Sequence, residues 1–265
     1  MIINGSKLVR VTDEDIIDGC FEWPQGITKI EENAFARCSK LTHITLPKKI
    51  EKIGKGAFSE CYNLIEITLS KNIEKIEENT FYDCSSLTTI NFSDQITEID
   101  RRAFYGCSNL IHLTLPECTR IIREKAFQGC INLYHIIFPE MFFIEKDAFS
   151  FCENLTQITF LNNINKIEFD AFSNCPRLNF IFTKEHNFDS IRKLVPQELQ
   201  AKVFIKSKYL FELYLNSKEV LTSRGMINDV INSICYQSLS FFKPTLNDIA
   251  KKTEEVQSQI NLKCS

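Results

Sequence analysis

Eleven cysteines and four histidines are the side chains here with the most chemistry to offer, and their spacing decides what that chemistry is. Cys38, Cys61, Cys84, Cys107, Cys130, Cys152 and Cys175 recur at steps of 23 residues, with one step of 22 between Cys130 and Cys152. A zinc ribbon needs close Cys-x2-Cys pairs whose thiolates converge on the ion, and the sequence has none. A disulfide brings two Cβ atoms to about 3.8 Å. Residues that recur once per turn of a strand-stacked chain sit about 4.8 Å apart with parallel side chains. The spacing therefore predicts free thiols, buried as small hydrophobes in a narrow core layer.

His112 and His135 occupy equivalent positions in consecutive units, and His43 takes the same position three units earlier. Two stacked imidazoles could begin a metal site, but no outward Asp, Glu or Cys on either strand completes a tetrahedron. Polar contact with a partner is the expectation for them. The chain lacks a Gly-x-Ser-x-Gly elbow, and its eight glycines are too scattered for a phosphate-cradling loop. The sequence therefore points to a non-enzyme with no cofactor and no metal. With 31 Lys and Arg against 34 Asp and Glu, the net charge of −3 argues against nucleic acid as a partner. No run approaches the roughly 18 apolar residues of a membrane span, and the start lacks the apolar core of a secretory signal. The expected location is cytoplasmic where the chain is made, with export by a non-classical or effector route left open.

The elements that hold these residues follow from one repeat. Phe35, Phe58, Phe81, Phe104, Phe127, Phe149 and Phe172 each stand three residues before a repeat cysteine, and Leu41, Leu64, Leu87, Leu110, Leu133, Leu155 and Leu178 three after it. The unit reads Ile-x3-Ala-Phe-x2-Cys-x2-Leu-x2-Ile-x-Leu. Its Ile-x-Leu end alternates as a strand does, whereas the three-residue spacing of Ala-Phe-x2-Cys-x2-Leu predicts a short helical turn. A 23-residue unit cannot enclose a core of its own, so neighbouring copies must stack.

The pattern resembles the BspA type of leucine-rich repeat over roughly residues 20 to 183, and Ile53-Gly54-Lys55-Gly56-Ala57-Phe58-Ser59-Glu60-Cys61 is close to that family's wording. The resemblance implies an α/β repeat solenoid, a leucine-rich-repeat stack of seven units over residues 27–183. It also implies a scaffold for adhesion or protein binding without shared catalytic residues. Residues 1–26 are then expected to form an N-terminal cap containing Trp23, and residues 184–265 a C-terminal helical cap or module. Its helices are expected at Phe188 to Val195, Pro196 to about Val220, Met226 to Phe242 and Thr245 to about Leu262. The segment Val195 to Phe204 is similar to the opening helix of an F-box, which would make the chain a ubiquitin-ligase adaptor or a secreted effector; a surface adhesin is a further alternative.

In such a stack the outward strand positions form the concave sheet, and its second half gathers aromatic and polar groups of the kind that anchor protein interfaces. The residues expected to bind a partner are His112, Tyr134, His135, Ile137, Gln157, Thr159, Phe180 and Phe182. Docking of the C-terminal helices would account equally well for Phe180 and Phe182. The partner is another protein of unknown identity, and weak self-association stays open.

Overall fold

The computed structural model describes residues 1–139 and 141–205. They form a β-solenoid of about nine turns with repeats of about 23 residues and one short α-helix, Phe188–Leu194. Strands are only two to four residues long, because each unit contributes a β-branched residue to the interior and turns immediately. Two parallel ladders result. In the first, Leu8, Ile30 and Ile53 lie in register, and further along Ile76, Ile99, Ile122, Ile144 and Ile167 do the same. In the second, Ile44, Ile67 and Ile90 align, followed by Leu113, Ile136, Ile158, Ile181 and Val203.

Between the ladders runs the Ala-Phe-x2-Cys segment, which forms turns where the spacing suggested a short helix. Its amides alternate in direction. Those of Asn33, Phe35 and Arg37 donate onward to carbonyls of Lys55, Ala57 and Ser59 in the next unit, while those of Ala34, Ala36 and Cys38 donate three residues back. Left-handed backbone enforces the alternation at Asn33, Gly56, Asn79, Arg102, Lys125 and Asp147, and again just before each repeat cysteine, at Arg37, Glu60, Asp83, Gly106, Gly129, Phe151 and Asn174. Two such residues in each of the first six units, and one in the seventh, stop a right-handed helix from propagating. They also free every second amide to tie neighbouring units together.

A column of phenylalanine rings runs through the interior. From Phe35 to Phe172 the seven rings stack face to face, with centroids 4.9 to 5.5 Å apart and planes within 3 to 17°. Complete burial of such a ring contributes roughly 1.5–3 kcal/mol. At the N-terminal end Phe21 meets Phe35 edge-on at 4.9 Å, and Trp23 packs on Phe21 at 5.1 Å.

Beyond Thr183 the chain makes the predicted short helix and then departs from expectation. Gln197–Lys202 is a 3-10 turn and Val203–Ile205 a strand that adds to the second ladder. The long helix expected from Pro196 and the F-box opening helix are therefore not formed there: Leu199 and Val203 bury their side chains on the last turn of the stack instead. The helices expected at Met226 to Phe242 and Thr245 to Leu262 lie outside the described residues.

Candidate functional site

The second ladder brings the partner-binding candidates together. His112 stands in register with His135, His135 with Gln157, and Gln157 with Phe180. One column over, Thr114, Ile137, Thr159 and Phe182 follow the same order. Gln157 Nε2 lies 3.2 Å from His135 Nε2 and 3.4 Å from Thr159 Oγ1, and His135 Nε2 is 3.3 Å from that hydroxyl. The Gln157 amide and the Thr159 hydroxyl reach the same ring nitrogen. The ring of His135 is thus held in one orientation, while His112 beside it is exposed.

Tyr134 is 45% exposed, and in the same column one unit earlier Ile111 is 46% exposed. The backbone under them is fixed: Tyr134 N–H donates to the Ile111 carbonyl, and the Thr156 hydroxyl to the Tyr134 carbonyl. Thr159 and Phe182 point outward by register yet are 2% and 4% exposed. Phe182 stacks on Phe180 at 5.9 Å and lies 6.3 Å from Phe204 of the next strand. These two residues support the face rather than present it. The accessible members are His112, Tyr134, His135, Ile137, Gln157 and Phe180, with Ile111 added.

The two ladders differ in charge. No Asp, Glu, Lys or Arg occurs in the second-ladder strands His112–Thr114, His135–Phe138, Gln157–Phe160 and Phe180–Thr183. On the first ladder, outward charges neutralise one another across units. Lys75 meets Glu98 at 3.2 Å and Asp100 at 2.8 Å, and Arg123 bridges Glu98 at 2.9 Å and Glu145 at 2.7 Å. Burial works against charge at Glu98 and Asp100, but hydrogen bonds from Arg123 and Lys75 outweigh it and hold both carboxyls below their usual range. Hydrogen bonds to Glu98 and Glu145 raise Arg123 in turn. Periodic Lys and Glu positions in the sequence carried the signal for this ladder, which the hydrophobic pattern alone did not expose.

The repeat thiols are buried and each is given a partner. Cys61, Cys84, Cys107 and Cys130 donate S–H to the carbonyls of Phe35, Phe58, Phe81 and Phe104 at 3.0, 3.1, 3.2 and 3.3 Å. Burial pushes the Cys38 thiol up to about 12 and raises Cys61, Cys84, Cys107 and Cys130 as well. These cysteines therefore tie each turn to the one before it as thiols, not as thiolate nucleophiles. Cys20 and Cys118 are exposed.

The sequence matches the family described as BspA type leucine-rich repeat region, in six copies, over residues 19–134, 74–210 and 120–255. The chain belongs to the BspA-type leucine-rich repeat family. Among solved structures, this BspA-type chain is similar to a leucine-rich repeat protein from Bacteroides ovatus, with 28% identity and a TM-score of 0.56 over 59% of this chain and 43% of that one. It is also similar to the T. pallidum leucine-rich repeat protein, with 26% identity and a TM-score of 0.53 over 72% and 83% of the two chains. The repeat protein thus spans less than half the length of the Bacteroides relative. No curated protein matches it. Among the described residues no helix is long and apolar enough to cross a membrane.

Proposed function

We propose that this chain is a non-enzymatic scaffold that binds another protein through the outward, concave face of the second ladder, centred on Ile111, His112, Tyr134, His135, Ile137 and Gln157. The observation that carries this reading is the contrast between the two faces. One neutralises its charges internally. The other, from His112 to Thr183, carries no Asp, Glu, Lys or Arg in its strands and exposes an isoleucine and a tyrosine beside a histidine clamped by Gln157. Depletion of charge with an aromatic anchor on a rigid backbone is the composition of an interface centre. Residues 1–26, with Phe21 and Trp23 over the first stacked ring, serve in this reading as the cap of seven repeat units, and residues 184–205 close the other end; the remainder of the expected C-terminal module lies outside the described residues.

The test is Tyr134→Ala combined with His135→Ala in the full chain. Both side chains lie outside the phenylalanine column, so the midpoint of thermal unfolding should move by no more than a few degrees. Recovery of the partner by affinity capture from cells that make the protein should fall at least tenfold. Undiminished recovery would show that the face is not the binding site.

A further inference from the structure

Away from the second ladder, the turn edge of the solenoid carries a cleft of about 370 Å³ lined by Tyr82, Arg102, Tyr105, Lys125 and Gln128. We propose that this cleft is a second binding site, taking a small acidic sugar unit, a hydroxyl-rich ring that bears a carboxylate. The proposal stands apart from the protein-binding face.

Its construction follows from the repeat. Tyr82, Tyr105 and Gln128 fill one position of the turn in three consecutive units, and Arg102 and Lys125 fill another three residues earlier in the last two. The tyrosine rings stack at 5.0 Å with planes within 7°, which sets their phenol groups side by side at about the spacing of the units. Every lining side chain can donate a hydrogen bond, two are cations and none is a carboxylate. That is an unusual lining for a chain of net charge −3. Lys125 pairs with Glu124 at 3.2 Å; the Arg102 guanidinium makes no hydrogen bond or ion pair among the described residues, although the same Glu124 carboxylate lies within its electrostatic reach. Arg102 and Lys125 both hold left-handed backbone, at φ 51° and 59°. Asn stands at this position in the first and third units, where the conformation costs less. Two long cations have been placed where the backbone favours a short amide.

A carboxylate suits Arg102 in two-pronged contact, with Lys125 as a second charge. Ring hydroxyls suit the two phenols and the Gln128 amide, whose Nε2 also donates to Ser150 Oγ at 2.6 Å. An acidic peptide fits less well, because strand addition needs unpaired backbone amides. Those of Tyr82, Arg102, Tyr105, Lys125 and Gln128 are spent on Asn79, Glu124, Arg102, Lys146 and Lys125 carbonyls.

Glucuronate is the probe, titrated into the full chain by calorimetry and by the ring resonances of Tyr82 and Tyr105, with glucose and acetate as matched controls. The expected result is saturable glucuronate binding, at least tenfold tighter than either control, that shifts both tyrosine signals. Arg102→Asn with Lys125→Asn restores the residue found in other units and is expected to fold as the parent does; it should weaken glucuronate at least tenfold. Tyr105→Ser, the residue at positions 59, 150 and 173, should do the same. No binding, equal binding of glucose or acetate, or a smaller loss in either variant overturns the proposal.

Discussion

Truncating one ring of the phenylalanine column should cost more at its centre than at its end, by an amount that follows from the contacts. Phe104 is fully buried. It stacks on Phe81 and on Phe127, both at 5.0 Å, and meets Phe92 edge-on at 5.9 Å. Phe→Ala in a packed core costs about 3–5 kcal/mol, and ring pairs contribute about 0.5–1.5 kcal/mol beyond area. With two stacked neighbours and one edge contact, Phe104→Ala belongs near the top, at about 4–5 kcal/mol. Phe172 stacks on one ring, Phe149 at 5.4 Å, and meets Phe138 edge-on at 6.4 Å; with one stacked neighbour fewer than Phe104, Phe172→Ala should cost about 3 kcal/mol. At roughly 2–4 °C per kcal/mol for a chain of this size, the central variant should melt about 8–20 °C below the parent. Because units touch only their neighbours, the central cavity should also separate the two halves, and circular dichroism should record a broadened or two-step transition. A Phe104→Ala cost below about 2 kcal/mol, or one no greater than that of Phe172→Ala, would refute the stacked-column account.

Two further expectations come from titratable groups. With the Cys38 thiol raised to about 12 and Cys61, Cys84, Cys107 and Cys130 raised by burial as well, iodoacetamide at pH 8 should modify Cys20 and Cys118 in the native chain and reach these five repeat cysteines only after denaturation; peptide mapping that finds Cys107 labelled in the native protein contradicts this. Glu98 and Asp100 have folded-state values below those of the unfolded chain, so their contribution is fully present above the unfolded carboxylate range near pH 4 and is lost as pH falls through the folded values. Urea midpoints should hold from pH 7 to about pH 5 and drop below about pH 4. Arg123→Met should flatten that acid limb, and an equally steep limb in the variant would count against the network.

The phenylalanine, cysteine and leucine columns were legible because one period set all of them, and a 23-residue unit has no alternative to stacking. The turn was not. Its three-residue spacing imitates a helix, and the contrary signal, left-handed backbone, is carried openly only where Gly or Asn fills the position, as at Gly56 and Asn79, and is hidden where Arg102, Lys125 or Phe151 does. At the C-terminal side, Pro196 followed by an apolar stripe reads locally as a helix start. The open edge of the strand Phe180–Thr183 captured Val203–Ile205 instead, a tertiary preference that local spacing does not encode. The partner-binding candidates were found because outward positions follow from the inward ones. Register could not reveal that Thr159 and Phe182 would be covered, since that depends on what packs over them. Tyr82 and Tyr105 recur in only two units, too few to stand out as a column in the sequence.

The unit that is one residue short shows where this architecture tolerates change in length. Leu113 to Ile122 and Ile158 to Ile167 each span nine steps between the ladders, whereas Ile136 to Ile144 spans eight. The ladder pairings on both sides of the shortened stretch keep their partners. That corner behaves as slack in an otherwise geared mechanism. Insertions or deletions accepted there leave the recognition surfaces on neighbouring coils undisturbed, so new sequence can be spliced into the loop while either candidate site is varied on its own.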